Sequence, residues 1–286
     1  MRVGVVGHVE HIEFAVVDAL PGAGQVVHAT HWFRAAGGGG AVAAVQLRKL
    51  AGEATFLTAL GSDGVAGQLH RELTAHGVTV RAALRPGPHR RGFVHLDATG
   101  ERTITIMGSR IVPRGDDPLP WADLGRFDAV YLTAGDADAV RKARAAKVLV
   151  ATVRAHEALT EAGVELDALV ASAHDATEAH DTIALDPPPR AIVRTAGAAG
   201  GTYTTADGTT GRWSAHDPPG PVVDAYGAGD CFAAGLTYGL ALAPDLDAAL
   251  DLAARCGAHC LAGRGPYAAQ LRNSDVQPDS ARRSAS

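Results

Sequence analysis

The residues with the clearest chemical potential are a glycine turn and the aspartate that follows it, Gly227-Ala228-Gly229-Asp230. Apolar residues with helical spacing come next, through Phe232 and Leu236. The turn therefore leaves the N–H groups of Gly227–Gly229 free at a helix start, where the helix dipole also favours an anion. Asp230 beside such a site has a task if it takes the proton from a hydroxyl that attacks a phosphoryl group. The alternative is that Asp230 only caps the helix.

Strand-like and helix-like segments alternate along most of the chain, which is the rhythm of a mostly parallel sheet with helices on both faces. Strands are predicted at 3–6, 54–60, 129–133, 148–153, 166–171 and 191–195, helices at 41–50, 65–76 and 137–146, and a hairpin at 203–214. The pattern predicts an α/β fold in which a single domain spans residues 1–272. The polar segment 273–286 is predicted to be a flexible C-terminal tail.

The region 78–107 breaks this alternation, because one strand-like segment follows another at 78–84, 92–97 and 103–107. The alternation of polar and apolar residues from Arg102 to Ile106 suits a half-exposed sheet. The sequence therefore predicts a β-rich excursion from the main fold.

The segment Asp224–Asp230, D-A-Y-G-A-G-D, resembles the D-T-x-G-A-G-D signature of the ribokinase-like (PfkB) carbohydrate kinases. Other segments are similar to further family motifs in the family's order: Gly37–Ala41 to G-G-x-G-A, Leu60–Gly67 to V-G-x-D-x-x-G and Thr195–Gly200 to T-x-G-x-x-G. The resemblance runs from about Val3 to Leu271. It implies a ribokinase-like sheet with a small β lid, built from segments within about 10–34 and 78–107.

The resemblance also implies an ATP-dependent kinase that transfers the γ-phosphate to a hydroxyl of a small sugar, polyol or nucleoside. Asp230 would be the general base, and the amides of Gly227, Ala228 and Gly229 would form an anion hole for the transferring phosphate. The nucleotide would lie against Thr195, Gly197 and Gly200 and against Gly257 on a helix over 251–261, and the acceptor against Glu10, Gly38, Gly39 and Gly40. Four of these segments are expected to follow strands, so they can converge on the carboxyl edge of the sheet: Glu10, Gly38–Ala41, Thr195–Gly200 and Gly227–Asp230. The strand expected before the last of them is the short β-branched run Val222-Val223.

Two departures from the family pattern leave the acceptor open. Val42 stands where the family has an asparagine that hydrogen-bonds sugar hydroxyls, and Ile12 lies near the position of its hydroxyl-binding aspartate. Glu10 lies two residues earlier on the same strand face and is the substitute that we expect. Ordinary ribose-like recognition is in doubt, because such a site specifies its substrate by hydrogen bonds.

Two alternative functions remain. Arginines in the lid segments, Arg90, Arg91 and Arg102, would bind a phosphate already on the acceptor if they point inward, which would make the chain a phosphosugar kinase. A catalytically idle ligand-binding or regulatory protein on the same scaffold would explain Val42 and Ile12. The intact glycine turn with Asp230 argues against this second alternative.

Phosphoryl transfer implies Mg²⁺, because a cation must bridge the phosphates. The nearest match to the family's N-x-x-E motif is Asp175-Ala176-Thr177-Glu178, in which Glu178 would act on the metal through water. The alternative is that Glu178 is a solvated residue at a helix start. The family resemblance also leaves open a monovalent cation. No G-x-x-x-x-G-K-[ST] sequence is present, which argues against a P-loop enzyme.

Composition and charge limit the classes of partner that this chain is expected to bind. The formal net charge of −5 argues against nucleic acid as the main partner. The sequence has no apolar run of membrane-spanning length, and His8 to Glu13 interrupt the N-terminal strand too early for a signal peptide. We therefore expect a cytoplasmic enzyme that acts on a small-molecule hydroxyl acceptor. Exposed lid strands leave a homodimer through the lid open.

Overall fold

Two β-sheets organise the structure, a computed structural model that describes residues 1–175, 178 and 185–276. The strands are β1 Val3–Val6, β2 Glu10–Val16, β3 His31–Gly37, β4 Thr55–Leu60, β5 Thr79–Leu84, β6 Arg91–Leu96, β7 Arg102–Met107, β8 Ala129–Leu132, β9 Val148–Thr152, β10 Ala168–Ser172, β11 Ala191–Thr195, β12 Gly201–Thr205 and β13 Thr210–Trp213. The helices are α1 Gly39–Ala51, α2 Gly64–Ala75, α3 Ala137–Ala143, α4 His156–Ala162, α5 Ala228–Leu242, α6 Leu246–Leu261 and α7 Asn273–Val276.

The large sheet has the strand order β13-β12-β11-β10-β9-β8-β1-β4-β5. Its seven strands from β5 to β11 pair in parallel, and the antiparallel pairs of this sheet are β11–β12 and β12–β13. The carboxyl ends of seven strands therefore share one edge, where an open α/β sheet binds its ligands. This architecture confirms the predicted α/β fold with a mostly parallel sheet.

Helices cover both faces of the large sheet because alternate strand residues point to opposite sides. Val5 and Tyr131 belong to a core formed with α1, α2, α5 and α6. Their strand neighbours Val6 and Leu132 belong to a second core formed with α3 and α4. In the described part of the chain, no helix has the length and apolar character needed to span a membrane.

The small sheet has the order β3-β2-β6-β7, and all residues of β7 are exposed. Segment 10–34 supplies β2 and most of β3, as predicted for the lid, and 91–107 supplies β6 and β7. The remainder of the predicted lid segment 78–107 is different. Strand β5 pairs in parallel with β4 at the edge of the large sheet, because α2 connects the two strands as an ordinary crossover.

The predicted tail begins with a short helix. Residues Asn273–Val276 form α7, and Arg255 in α6 donates a hydrogen bond from Nη2 to the backbone oxygen of Asp275 at 2.7 Å. The remainder of the tail prediction lies outside the described residues.

Helices α5 and α6 pack closely because two glycines of α5 face α6. A Cβ atom on Gly239 would lie 2.7 Å from the Cα atom of Ala249, and one on Gly235 would lie 2.8 Å from that of Ala253. Real Cβ atoms do not approach backbone so closely, so the two helices depend on glycine at both positions.

We expect Gly239→Ala to lower the free energy of unfolding by about 1–2 kcal/mol, because the cost of overpacking exceeds the gain in helix propensity. Urea denaturation measures this change. Gly67→Ala is the matched control, since Gly67 lies on the exposed face of α2 and a Cβ there would meet only the flexible end of Arg71. The control should raise stability by up to about 1 kcal/mol. A Gly239→Ala protein as stable as wild type would contradict the packing argument.

Candidate active site

The N-terminal ends of α1 and α5 meet at Asp230. Gly38 precedes α1 with a φ angle of 81°, and Gly227 precedes α5 with a φ angle of 88°. Both angles lie in the left-handed region that favours glycine. The N–H of Gly38 donates to the hydroxyl oxygen of Tyr226 at 2.9 Å, which ties the two turns together. A Cβ on Gly39 would lie 2.6 Å from Asp230 Oδ1, so the carboxylate reaches the start of α1 only because Gly39 has no side chain.

Asp230 is the third residue of α5, and its side chain makes no capping hydrogen bond within the described residues. The helix-cap alternative from the sequence is therefore not supported. Within the same residues, the N–H groups of Gly229 and Asp230 have no acceptor, and the space in front of Gly229 is open. Burial raises the pKa of Asp230 to about 6, although the charges of Arg154 and Arg102 favour its ionised form.

The loop before Gly227 is anchored by a buried carboxylate. Asp224 accepts hydrogen bonds from Tyr226 N at 2.8 Å and from Gly265 N at 2.9 Å. The sequence placed a strand before this turn, and that prediction is wrong. Val222 and Val223 are exposed, and the N–H of Val223 donates to Leu261 at the end of α6 and not to a neighbouring strand.

Glu10 and the glycine turn lie together at the expected acceptor position. Glu10 is only 6% exposed, and its Oε1 lies 2.9 Å from Arg90 Nε. A Cβ on Gly38 would lie 3.3 Å from Glu10 Cγ, and one on Gly40 would lie 3.0 Å from the backbone nitrogen of His8. The structure thus brings Glu10, Gly38, Gly39 and Gly40 together beside Asp230.

The two family positions that depart from the pattern lie in the core. Val42 is fully buried under the turn, since a Cβ on Gly227 would lie 2.9 Å from its Cγ1 atom. Ile12 is also fully buried, and a Cβ on Gly92 would lie 2.6 Å from its Cδ1 atom. Both side chains therefore pack under the site and supply no hydrogen bond to a ligand.

Arg154 and Glu178 form an ion pair at the ends of β9 and β10. Arg154 Nε contacts Glu178 Oε1, and Arg154 Nη2 donates to Asp175 at 2.6 Å. The other oxygen of Glu178 accepts from the N–H of Ser172 at 2.8 Å. Both oxygens of Glu178 are thus engaged, and the described residues contain no group of three side chains able to bind a metal directly. A Mg²⁺ ion held directly by side chains of the described residues does not fit, and an action of Glu178 through water stays a prediction.

The expected nucleotide-binding residues lie along the same carboxyl edge. Thr195 ends β11, and Gly197 and Gly200 follow it with φ angles of 57° and 79°. Gly257 lies on α6, where a Cβ would come 3.4 Å from the backbone oxygen of Ala228. Gly257 is therefore adjacent to the turn with Asp230. A separate cleft of about 230 Å³, lined by Arg2 and Phe127, lies at the opposite strand ends and contains none of the candidate residues.

The three arginines of the lid segments have different partners in the structure. Arg90 points toward Glu10, whereas Arg91 pairs with Asp63 at 3.5 Å and remains half-exposed. Arg102 Nη1 donates to the backbone oxygen of Ala225 at 2.7 Å, so this lid residue contacts the loop that leads to Asp230.

Sequence reasoning missed several residues of the site: His8, Arg110, Thr133, Arg154 and Tyr226. A signal existed for two of them. Arg154 directly follows one predicted strand and Thr133 ends another, at the edge where side chains reach the ligand. The sequence contains no comparable indication for Arg110 and His8, because the charged residues that surround them in the structure are distant in sequence.

Comparisons with known proteins agree with this geometry. A family model described as "pfkB family carbohydrate kinase" matches residues 2–160 and 134–272. No curated protein matches the sequence closely enough to count as a relative. The structure is similar to ribokinase from Giardia lamblia, with a TM-score of 0.77, 18% identity and coverage of 96% of this chain and 97% of that one. It is also similar to Arabidopsis thaliana ribokinase complexed with ribose and ATP, with a TM-score of 0.74, 20% identity and coverage of 96% of each chain. A further similar structure is adenosine kinase from Sinorhizobium meliloti, with a TM-score of 0.73, 18% identity and coverage of 99% of each chain.

We expect the ¹³C signal of the Asp230 carboxyl group to titrate with a midpoint near pH 6, ionised above it and protonated below it. Arg154→Gln should move this midpoint upward. The variant loses the positive charge that lowers the pKa of Asp230 and leaves the negative charge of Glu178 uncompensated. Carboxyl-resolved NMR measures both values.

Arg126→Gln is the control for this titration, because Arg126 lines the cleft at the opposite strand ends. It should leave the midpoint of Asp230 unchanged. A midpoint near the ordinary value of 3.8 in the wild type would contradict the proposed environment of the carboxylate.

Proposed function

Because the chain belongs to the pfkB family of carbohydrate kinases, we propose that it transfers the γ-phosphate of ATP to a hydroxyl of a small sugar, polyol or nucleoside. Membership of this family makes the chain a phosphotransferase with an alcohol group as acceptor. The observation that carries the finer proposal is the position of Asp230, which lies between the starts of α1 and α5. A hydroxyl placed there would contact a base and face a set of free helix amides.

In the proposed mechanism, Asp230 takes the proton from the attacking hydroxyl as its oxygen bonds to the transferring phosphorus. The bond between that phosphorus and the bridging oxygen of ATP breaks at the same time, and ADP leaves with the electron pair. The N–H groups of Gly227, Ala228 and Gly229 receive the negative charge that develops on the phosphoryl oxygens. A base with a pKa near 6 is ionised at neutral pH and still accepts a proton readily. The fixed distance between base and amides supplies most of the catalysis, because the reactants are then aligned before they react.

The nucleotide would lie over the β11–β12 loop. Thr195, Gly197 and Gly200 would contact it from one side, and Gly257 would allow its close approach from α6. The similar ribokinase from Arabidopsis thaliana was solved as a complex with ribose and ATP, which supports the choice of nucleotide. Mg²⁺ would arrive with the phosphates and neutralise their charge, since this ion commonly takes substrate phosphates and water as ligands. A monovalent cation stays a prediction of the resemblance.

The acceptor would lie between the large sheet and the lid. Glu10 Oε1 pairs with Arg90, which leaves Oε2 to accept a hydrogen bond from a hydroxyl beside Gly38–Gly40. The small sheet would cover this position and exclude water from the transferring phosphate. Its outer strand β7 is exposed, so a homodimer through the lid remains a proposal.

The idle-protein alternative gains no support from these contacts. Gly39 lacks a side chain where Asp230 approaches, and Asp224 holds the turn in position with two buried hydrogen bonds. Burial of a carboxylate is unfavourable unless it is used, and a ligand-binding scaffold has no need of a base beside free amides.

We expect Asp230→Asn to keep the fold and ATP affinity and to lower kcat by about 10²- to 10⁴-fold, the usual effect of removing a general base. The fold should survive because the side chain makes no capping hydrogen bond in the described residues. The measurements are kcat for the acceptor with the highest turnover in a panel of sugars, polyols and nucleosides, the melting temperature and ATP binding.

Asp138→Asn is the matched control, since Asp138 also lies in the first turn of a helix but pairs with Lys142 on the same helix. It should leave kcat unchanged. An Asp230→Asn enzyme that turns over at nearly the wild-type rate would remove Asp230 as the base.

A further inference from the structure

Two arginines lie side by side at the inner edge of the lid. Arg90 directly precedes β6, and Arg110 follows the end of β7 by three residues. The pairing of Arg91 with Met107 brings these two chain segments together. A Cβ on Gly108 would lie 3.9 Å from the Cα atom of Arg90, which places the segment leading to Arg110 directly against Arg90.

Of the two arginines, Arg90 is the one with an ion pair in the described residues, and its partner is Glu10. Glu10 pairs with Arg90 through Nε, which leaves the terminal guanidinium nitrogens of Arg90 for another anion. Arg110 has no ion pair with any carboxylate in the described residues. Partial burial lowers the pKa of Arg110, and the positive charge of Arg90 lowers it further, although the residue remains more than a third exposed. The end of the site occupied by these arginines therefore has positive charge without a matching anion.

His8 provides a second observation at the same place. It is 8% exposed, its Nδ1 atom is buried without a hydrogen-bond partner in the described residues, and its Nε2 lies 3.8 Å from Glu10 Oε1. Burial lowers the pKa of His8 to about 3, and the charges of Arg110, Arg90 and Arg154 act in the same direction. His8 is thus a neutral, partly unsatisfied side chain among cations, as expected at the wall of a ligand site.

We infer that the phosphate acceptor carries an anionic group of its own, a carboxylate or a phosphate, which Arg110 binds together with the terminal nitrogens of Arg90. This inference rests on the proposed function, because it assigns the substrate class of the same site. The acceptor would extend from Asp230, past Gly38–Gly40, to the arginine pair. Arginine suits this purpose because its planar guanidinium binds carboxylate and phosphate with two parallel hydrogen bonds.

An anionic acceptor also accounts for the two departures from the family pattern. Val42 and Ile12 are buried and offer no polar atom, so recognition of neutral hydroxyls at those positions is lost. A charged contact at the other end of the acceptor replaces part of that specificity, since a charge-assisted hydrogen bond is about twice as strong as a neutral one. Arg110 would then determine specificity and would not take part in the chemical step.

The test compares binding of a neutral pentose and a neutral hexose with binding of the terminal phosphate and the aldonic acid of each sugar. Isothermal titration is performed with an unreactive ATP analogue at saturation, so that the nucleotide-phosphate position is already occupied. We expect wild type to bind one anionic series, either the sugar phosphates or the aldonic acids, more tightly than the neutral sugars. The series that binds more tightly identifies the anionic group as phosphate or carboxylate. Arg110→Gln should weaken that series by about 10- to 100-fold and leave the neutral sugars unchanged.

Arg91→Gln is the matched control, because Arg91 is adjacent to Arg90 but pairs with Asp63 at the surface. It should keep the full preference for the anionic series. Equal binding of neutral and anionic sugars, absence of anion binding, or an Arg110→Gln protein with unchanged anion affinity would each overturn the inference.

Turnover of the same compounds separates this inference from the proposed function. Phosphorylation of neutral sugars without an anion preference would overturn the anionic acceptor and keep the kinase. Anion binding that depends on Arg110, without phosphorylation of any compound, would support the anion site and count against the kinase assignment.

Discussion

The N-terminal ends of α1 and α5 approach each other so closely that Gly39 at one end and Gly227 at the other have no room for a side chain. Asp230 occupies the space that a Cβ on Gly39 would need, and Tyr226 bonds to the backbone of Gly38. Two helix dipoles then point toward one small volume, where they favour negative charge. The proposed anion hole, base and acceptor position all depend on this approach, because each would be formed by one of the two turns or by a residue held against them.

The parallel sheet makes this approach possible by aligning strand ends. Strand β1 leads to His8 and Glu10, β9 to Arg154, and β10 to Glu178, so charged side chains from distant parts of the chain meet at one edge. The turn with Asp230 is not fixed by a strand of its own. Asp224 holds it with hydrogen bonds to Tyr226 and Gly265, which anchor the turn to the segment that follows α6.

The sequence alone allowed the fold and the position of a glycine turn at a helix start to be predicted, because both depend on local pattern. Alternating apolar segments indicate a parallel sheet, and a glycine turn before an apolar helix indicates an anion site wherever it lies. Strand β5 was assigned to the lid because an isolated strand pattern does not show which sheet it joins. The sequence also could not show which charged side chains contact each other. Nothing local shows that Arg90 meets Glu10 or that Arg110 lies beside Arg90, since these contacts follow from the register of the lid strands.

The pKa of Asp230 reflects a balance between burial of the carboxyl group and the positive charges of two arginines, one from the large sheet and one from the lid. Burial favours the protonated carboxyl group, whereas Arg154 from the sheet edge and Arg102 from the lid favour the carboxylate. Arg102 has this influence because it bonds to Ala225, two residues before the turn. The hydrogen bond therefore joins the position of the lid to both the shape of the anion hole and the ionisation of the base. If the lid covers the acceptor as we propose, it would bury the carboxylate and supply a compensating positive charge at the same time. The pKa of Asp230 would then stay near 6 in a site from which water is excluded.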